Sequence, residues 1–411
     1  MIFKIIFRNL LYKPLGTVLS ILLLMFGVGI ISMLLTLYKQ AEDKFDNDLK
    51  DIDLVIGAKG SPLQLVLSAV YHIDAPTGNI LRSDAEKIIH NPLIKQAIPL
   101  AYGDSYKTYP IIGTDSAFLK LYGGVLQQGN LFTKTLEAVV GSNVAASTAL
   151  KENDTFFGTH GMGAKGHVHK EFQYKVVGIL KPTNTVLDNL VLTNVATVWA
   201  IHNHHHHDEG KEDKDDDDEK KAGSGDTVKP ENELTAFLIK FRSPMGLMMI
   251  PRIINETTNM QAASPVLEIN RLFDLLGVGI KTMQAVAFAI MLISGLSVFI
   301  SLYGRLQERK YELALARSMG SSRLRLFAMV LAEGITLSLA GFLAGILLSR
   351  FGLLLLDKFA AGKFHIDLRK QGLSKEEGWL FLVTLGIGLA AALIPAVKAF
   401  RLNISKTLAN D

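Results

Sequence analysis

Apolar residues are not spread evenly along this chain. From Leu15 to Leu37 there are 23 residues without a charge. As a helix at 1.5 Å per residue, that run covers about 34 Å, enough for a hydrocarbon core of about 30 Å. It is longer than the apolar core of a signal peptide, and its exit, Leu37-Tyr38-Lys39-Gln40, is not a small-residue cleavage site. It therefore predicts a retained anchor. Three further runs, Gln284–Tyr303, Phe327–Leu348 and Trp379–Val397, have the same character, and one charge interrupts them, Glu333. The pattern predicts four spans, at 15–37, 277–303, 327–348 and 379–397, with Pro395 placed to kink the end of the last.

Between the first two spans the pattern changes. No stretch within residues 38–276 is apolar enough to cross a bilayer. Short apolar runs such as Asp53–Ile56, Tyr109–Ile112, Ala138–Val140 and Tyr174–Leu180 are bounded by Gly, Pro, Asn and Asp, and read as strands. Ser83–Ile89 reads as a helix capped by Ser83, with Glu86 completing a capping box. Asn143–Leu150 reads as another. Strands and helices mix without a fixed period, so the segment is an α+β domain outside the cytoplasm. Residues 202–226 break the pattern with a His tract, a run of Asp, Glu and Lys, and Gly223-Ser224-Gly225. Nothing there builds a core, and a flexible insert is expected.

Composition agrees with a chain divided between lipid and water. It is 49% hydrophobic and 20% charged over 411 residues. The net +4 is an average of two regions. Residues 38–276 carry 24 Lys/Arg and 31 Asp/Glu, a net of −7, and the remainder is +11. A uniformly basic nucleic-acid binder is excluded. With no cysteine there is no disulfide scaffold, thiol nucleophile or thiolate zinc site. Lys and Arg near span ends set orientation. The stub 1–14 has Lys4, Arg8 and Lys13. The link 304–326 has Arg305, Arg309, Lys310, Arg317, Arg323 and Arg325, and the tail 398–411 has Lys398, Arg401 and Lys406. These twelve place all three segments in the cytoplasm, against five basic residues at 357–378 in the short outer loop, which is read as 349–378.

Four features carry candidate chemistry. Neither Gly210-Lys211 nor Gly362-Lys363 is followed by Ser or Thr, so the chain has no P-loop, and any ATP and magnesium belong on another chain. Imidazoles and a carboxylate cluster at His202, His204, His205, His206, His207 and Asp208, with a sparser group at His160, His167 and His169. Such ligands suit zinc or copper. The plainer reading is a solvated tract with weak zinc affinity and no role. Glu333 is costly in a span by roughly 2.5 kcal/mol or more if it faces lipid. It reads as a packing contact to a neighbouring helix, because a single acid does not make a proton relay. The link Glu308–Arg323 is rich in helix formers, with Glu308 and Glu312 one turn apart, Leu306, Lys310, Leu313 and Arg317 on another face, and Gly320 as the stop. It predicts an amphipathic helix at the membrane surface. No catalytic spacing is visible.

The link residues Glu308, Arg309, Lys310, Glu312, Arg317 and Gly320 fit the pattern E-R-K-x-E-x-x-x-x-R-x-x-G. With an acid in the next span, and the tail Ile394-Pro395-Ala396-Val397-Lys398-Ala399-Phe400-Arg401-Leu402, the chain resembles FtsX-like permeases. Gln128–Phe132, Val140–Ala145 and Val176–Leu180 resemble the periplasmic core domain of the MacB group. The resemblance covers nearly the whole chain apart from 202–226. It implies the permease subunit of an ABC transporter of the MacB/LolCDE type, in the bacterial inner membrane with the large domain in the periplasm. Such a subunit dimerises with itself or a similar permease and binds a cytoplasmic ABC ATPase through the six link residues. It transmits ATP-driven closure to the periplasmic domain, which extracts or exports a lipid, lipoprotein or peptide, or drives a periplasmic or lipoprotein partner. The resemblance implies no enzymatic activity and no cofactor on this chain. Unlike MacB itself, the chain carries no ATPase. An alternative from the residues alone is a sensor of metal or envelope signals, or metal-linked transport, using the His-rich loop.

Overall fold

The computed structural model describes residues 14–159, 168–208, 232–360 and 375–402. They belong to two compact units, Lys44–Phe273 and Met1–Asp43 with Asp274–Asp411.

The first unit is built on a ten-stranded mixed sheet. Its strands are β1 (Leu54–Ala58), β3 (Ile94–Tyr106), β4 (Tyr109–Thr114), β5 (Leu126–Gly129), β6 (Glu137–Val140), β7 (Thr155–Thr159), β8 (Val168–Leu180), β9 (Val191–Asn194), β11 (Ala236–Phe241) and β12 (Met260–Ala263). They run in the order β12-β1-β11-β3-β4-β9-β6-β8-β5, with β7 against β3 and β8. The β4–β9 and β6–β8 pairs are parallel and the other pairs antiparallel. A separate small ladder joins β2 (Ile80–Leu81) to β10 (Glu233–Leu234).

Side chains along a strand alternate between faces, and here both faces are buried. Val55, Ile112, Val139, Leu192 and Leu238 enter one core, beneath α2 (Pro62–Ala69) and α4 (Ser116–Leu121). Their neighbours Ile56, Phe237 and Ile239 enter a second core, under α3 (Arg82–Ile89), α6 (Val195–Asp208) and α7 (Pro244–Thr257). Ile111, Val140 and Val191 enter a third, with Val144 of α5 (Ser142–Thr148). Double burial explains why the strands read as short continuous apolar runs.

Several expected boundaries move, for physical reasons. The helix α1 (Pro14–Leu49) does not stop at residue 37. Residues 38–49 contain no Gly or Pro, and Phe45 and Leu49 pack against the first core. Likewise α8 (Pro265–Glu308) begins well before 277, with Ile269, Leu272 and Phe273 packed on that core. Ser83 is not a cap. Leu81 leaves β2 in extended geometry at the cap position without a side-chain bond, and Glu86 instead accepts from Arg82 Nε at 2.6 Å. Ala149, in left-handed geometry at φ 60°, ends α5 before Leu150. Residues 202–208 are the last two turns of α6 rather than the start of a flexible insert, and 209–226 lie outside the described residues.

Among the described residues, four helices are long and apolar enough to cross a membrane: α1, α8, α10 (Arg323–Ala360) and α11 (Lys375–Phe400), whose apolar stretches lie in the second unit. Residues 349–360 and 375–378, expected in a loop, are helical. Small residues let the backbones meet, as lipid-embedded helices require. A Cβ on Gly334 of α10 would stand 2.5 Å from Ala392 Cβ and 3.1 Å from the Gly388 carbonyl of α11. Added at Gly341 and Gly345, it would strike Leu24 and Val28 of α1.

Candidate functional site

The link between the second and third spans is two elements, not one. Arg309, at φ −98° and ψ 12°, separates the end of α8 from α9 (Lys310–Ser318). Glu308 and Glu312 therefore lie on different helices and do not share a face. At its other end, α9 closes as expected of Gly320. Gly320 adopts φ 98° and its N–H donates to Arg317 O at 3.1 Å, while Ser321 N–H reaches Ala316 O at 3.0 Å. These are the two bonds of a Schellman stop.

The six polar residues read from the sequence divide by what they touch. Arg309 Nε donates to Glu312 at 2.9 Å on the surface. Arg317 turns inward and donates through Nη1 to the Leu402 carbonyl beyond the end of α11. Glu308 is exposed and Lys310 half-buried. Leu313 is buried with Leu306, Leu326, Val330, Ala396 and Ala399, which fixes α9 to the bundle, and Ala314 beside it is buried too. Beside the exposed Glu312, α9 turns outward an apolar row: Tyr311 is 48% exposed, Leu315 47% and, just past its end, Met319 82%. Spaced four residues apart, they form one stripe. Sequence reasoning concentrated on the charged residues and passed over this stripe, although its i, i+4, i+8 spacing was present.

Glu333 is buried within the bundle at 5% exposure. Its carboxylate acts on Arg305 of α8, which is itself buried and donates to Ser301 O and Oγ at 3.3 and 3.1 Å.

A second polar site was missed entirely. Glu377, fully buried in α11, accepts two bonds from Arg350 Nη2 of α10, at 2.9 and 2.8 Å, and one from Ser32 Oγ of α1 at 2.6 Å. Ser32 also lies 3.0 Å from Ser349 Oγ, and Arg350 Nη1 reaches Thr36 Oγ1 at 3.4 Å. Three helices are joined where the apolar runs appeared to have ended.

The domain core contains a further buried pair. The Tyr102 hydroxyl donates to Ser68 O and accepts from His72 Nδ1 at 2.5 Å. His72 Nε2 is shut from water and has no partner among the described residues. Burial pushes the imidazole down to about 3, so the ring is neutral.

Of the candidate metal ligands, His160 and His167 lie outside the described residues, and His169 is in β8. His202, His204, His205, His206, His207 and Asp208 are in α6. Among the described residues no cluster of three or more His, Asp and Glu forms a metal site.

Two family models match the chain. The FtsX-like permease C-terminal model covers residues 285–404, and the MacB-like periplasmic core domain model covers residues 17–217. Among solved structures, the periplasmic region of MacB from Actinobacillus actinomycetemcomitans is 11% identical, with a TM-score of 0.35, covering 56% of this chain and 98% of that one. The extracellular domain of the noncanonic ABC-type transporter YknZ from Gram-positive bacteria is 12% identical, with a TM-score of 0.30, covering 52% and 99%. No curated protein sequence matches.

Proposed function

We propose that this chain, which belongs to the FtsX-like permease family of ABC transporters with a MacB-like periplasmic core domain, couples a separate cytoplasmic ATPase to movement of that domain. It is a multi-pass protein of the inner membrane, with four spans and the large domain between the first and second on the periplasmic side. Permeases of this family work with a cytoplasmic ABC ATPase.

The observation that carries the proposal is the outward stripe Tyr311, Leu315 and Met319 on a short helix anchored by Leu313 and Ala314. On the cytoplasmic side, an exposed apolar stripe on a rigid helix is a docking element, because covering it removes apolar surface from water. Glu308 and Glu312 flank it with negative charge. The ATPase presses on α9, and α9 passes the displacement to α8 and α10 on either side of it. The work done outside is extraction or export of a lipid, lipoprotein or peptide, or the driving of a periplasmic partner, by two permease copies.

The test is affinity purification of the full chain in mild detergent. A P-loop ATPase co-purifies with the native chain, and Leu315→Asp or Glu312→Lys releases it. If no ATPase is recovered, or both variants retain it and keep transport, the proposal fails.

Metal sensing remains a second reading, supported by the helical spacing of His202 and His206, one turn apart in α6. Deleting 202–226 and comparing the zinc response of transport decides it, since an unchanged response removes any metal role.

A further inference from the structure

The helix α7 of the periplasmic domain turns methionine toward solvent. Its inner face is Gly246, Ile250 and Ile254, all buried, with the two isoleucines in the second core beside Phe241 and Ala262. On its outer face Met245, Met248 and Met249 are 60%, 82% and 50% exposed. The spacing i, i+3, i+4 puts the three on one face, with Cβ atoms about 5–6 Å apart between turns. Met260, a few residues on, is buried in the core, so apolar packing accounts for Met260 but not for these three. Residues 244–249 carry no side-chain oxygen or nitrogen, and the chain has no cysteine. The side-chain ligand atoms of this turn are therefore three thioether sulfurs. Arg252 follows one turn later, but its Nε donates to Glu256 at 2.9 Å, which balances its charge within the helix. Leu or Ile at the same positions would present as much apolar surface and no ligand. A thioether is polarizable and sits on a flexible unbranched stem with three rotatable bonds, so neighbouring sulfurs can converge.

We propose that Met245, Met248 and Met249 form a binding site for a soft monovalent cation, Cu(I), on the surface of the periplasmic domain. A ligand set of neutral sulfur alone selects Cu(I). It does not suit zinc, which takes imidazole, carboxylate or thiolate, or calcium and magnesium, which take oxygen. Thioethers carry no proton to displace, so binding is independent of pH where imidazole and thiolate sites are not. The ion enters as Cu(I) and stays Cu(I), and the exposure of all three side chains leaves it open to exchange. The inference depends neither on ATPase coupling nor on the His tract.

The experiment titrates the full chain in mild detergent with Ag(I), an air-stable stand-in for Cu(I), and separately with zinc, and reads bound metal by native mass spectrometry. It is run at about pH 5.5, roughly one unit below the ordinary imidazole pKa of about 6.5, where protonated histidines do not compete. There the native chain holds about one Ag(I) and no zinc. The triple variant Met245→Leu, Met248→Leu, Met249→Leu loses the Ag(I). It keeps the native melting temperature, because Leu replaces exposed Met at nearly constant volume. Met283→Leu, at an exposed methionine of α8, keeps the ion. Met248→Leu alone holds it more weakly, and decides the matter should the triple variant fail to fold. A native chain that binds no Ag(I) overturns the proposal and leaves the row an apolar contact surface only. Ag(I) retained in full by the triple variant, or zinc held as strongly as Ag(I) by the native chain, overturns it as well.

Discussion

Arg350 and Glu377 form a two-bond ion pair inside a helix bundle: one guanidinium nitrogen donates to both carboxylate oxygens, and the carboxylate has no exposed surface. The acid is further held by Ser32, so the contact ties α10, α11 and α1 together. Removing one partner of a buried pair leaves the other charge uncompensated, which costs roughly 3 kcal/mol where burial is complete. Arg350 is 28% exposed on its side chain, so its loss is softened by water. The order of melting temperatures is therefore native, then Ser32→Ala, then Arg350→Ala, with Glu377→Gln between native and Arg350→Ala because Arg350 keeps access to water. Thermal unfolding in detergent checks it.

The neutral His72 makes the domain sensitive to acid. Its folded pKa is depressed to about 3, while an unfolded imidazole titrates at about 6.5. Below about 6.5 the unfolded chain binds a proton that the folded chain does not. The stability contributed is thus complete above that value and is lost as pH falls toward about 3, by about 1.4 kcal/mol per unit. Asp48, raised by burial and only partly relieved by Lys44, acts with the opposite sign. Between about pH 7.5 and 5.5, unfolding of the native chain becomes easier, and His72→Gln flattens the dependence. A slope unaltered by that substitution assigns the titration elsewhere.

The spans were legible because hydrocarbon tolerates little except long uncharged runs. The strands were legible because burial on both faces leaves short apolar blocks between turn residues. The Ser32–Arg350–Glu377 contact was not. Arg350 and Glu377 sit at the edges of apolar runs, where charge ordinarily marks an exit, and their partnership depends on helix packing. Ser32 in an uncharged run and Ser349 beside Arg350 were the available signals, and each alone is unremarkable. In the link, helix content and the stop at Gly320 were readable, but the break at Arg309 was not: it falls within residues that all favour helix. It is the break that parts Glu308 from Glu312.

Gly320 and Gly129 both have left-handed backbones, at φ 98° and 77°, but differ in surroundings. Among the described residues nothing lies within 4 Å of a Cβ on Gly320, so Gly320→Ala costs only backbone conformation, about 1 kcal/mol. A Cβ on Gly129 would approach Val177 O to 2.1 Å. Gly129→Ala therefore adds a collision with β8 and costs more, about 3 kcal/mol. Limited proteolysis of the two variants separates them: Gly129→Ala exposes the periplasmic domain, whereas Gly320→Ala leaves it resistant and affects only α9.

Arg317 and Leu315 are two residues apart on α9 but serve different ends. Leu315 faces outward, and Leu315→Asp puts a charge on the apolar surface proposed to dock the ATPase; binding is expected to weaken about tenfold or more, as at an interface hot spot. Arg317 turns inward instead. Its guanidinium holds the Leu402 carbonyl and so ties α9 to the chain leaving α11. Arg317→Ala leaves the ATPase bound and loosens the frame that carries its motion. The expected signature is undiminished co-purification, with ATP hydrolysis no longer driving transport. Arg317→Lys restores little, because a flexible ammonium does not reproduce the fixed guanidinium donor geometry. Binding and transport measured on the same three variants distinguish contact from transmission: if Arg317→Ala also releases the ATPase, Arg317 belongs to the docking surface instead.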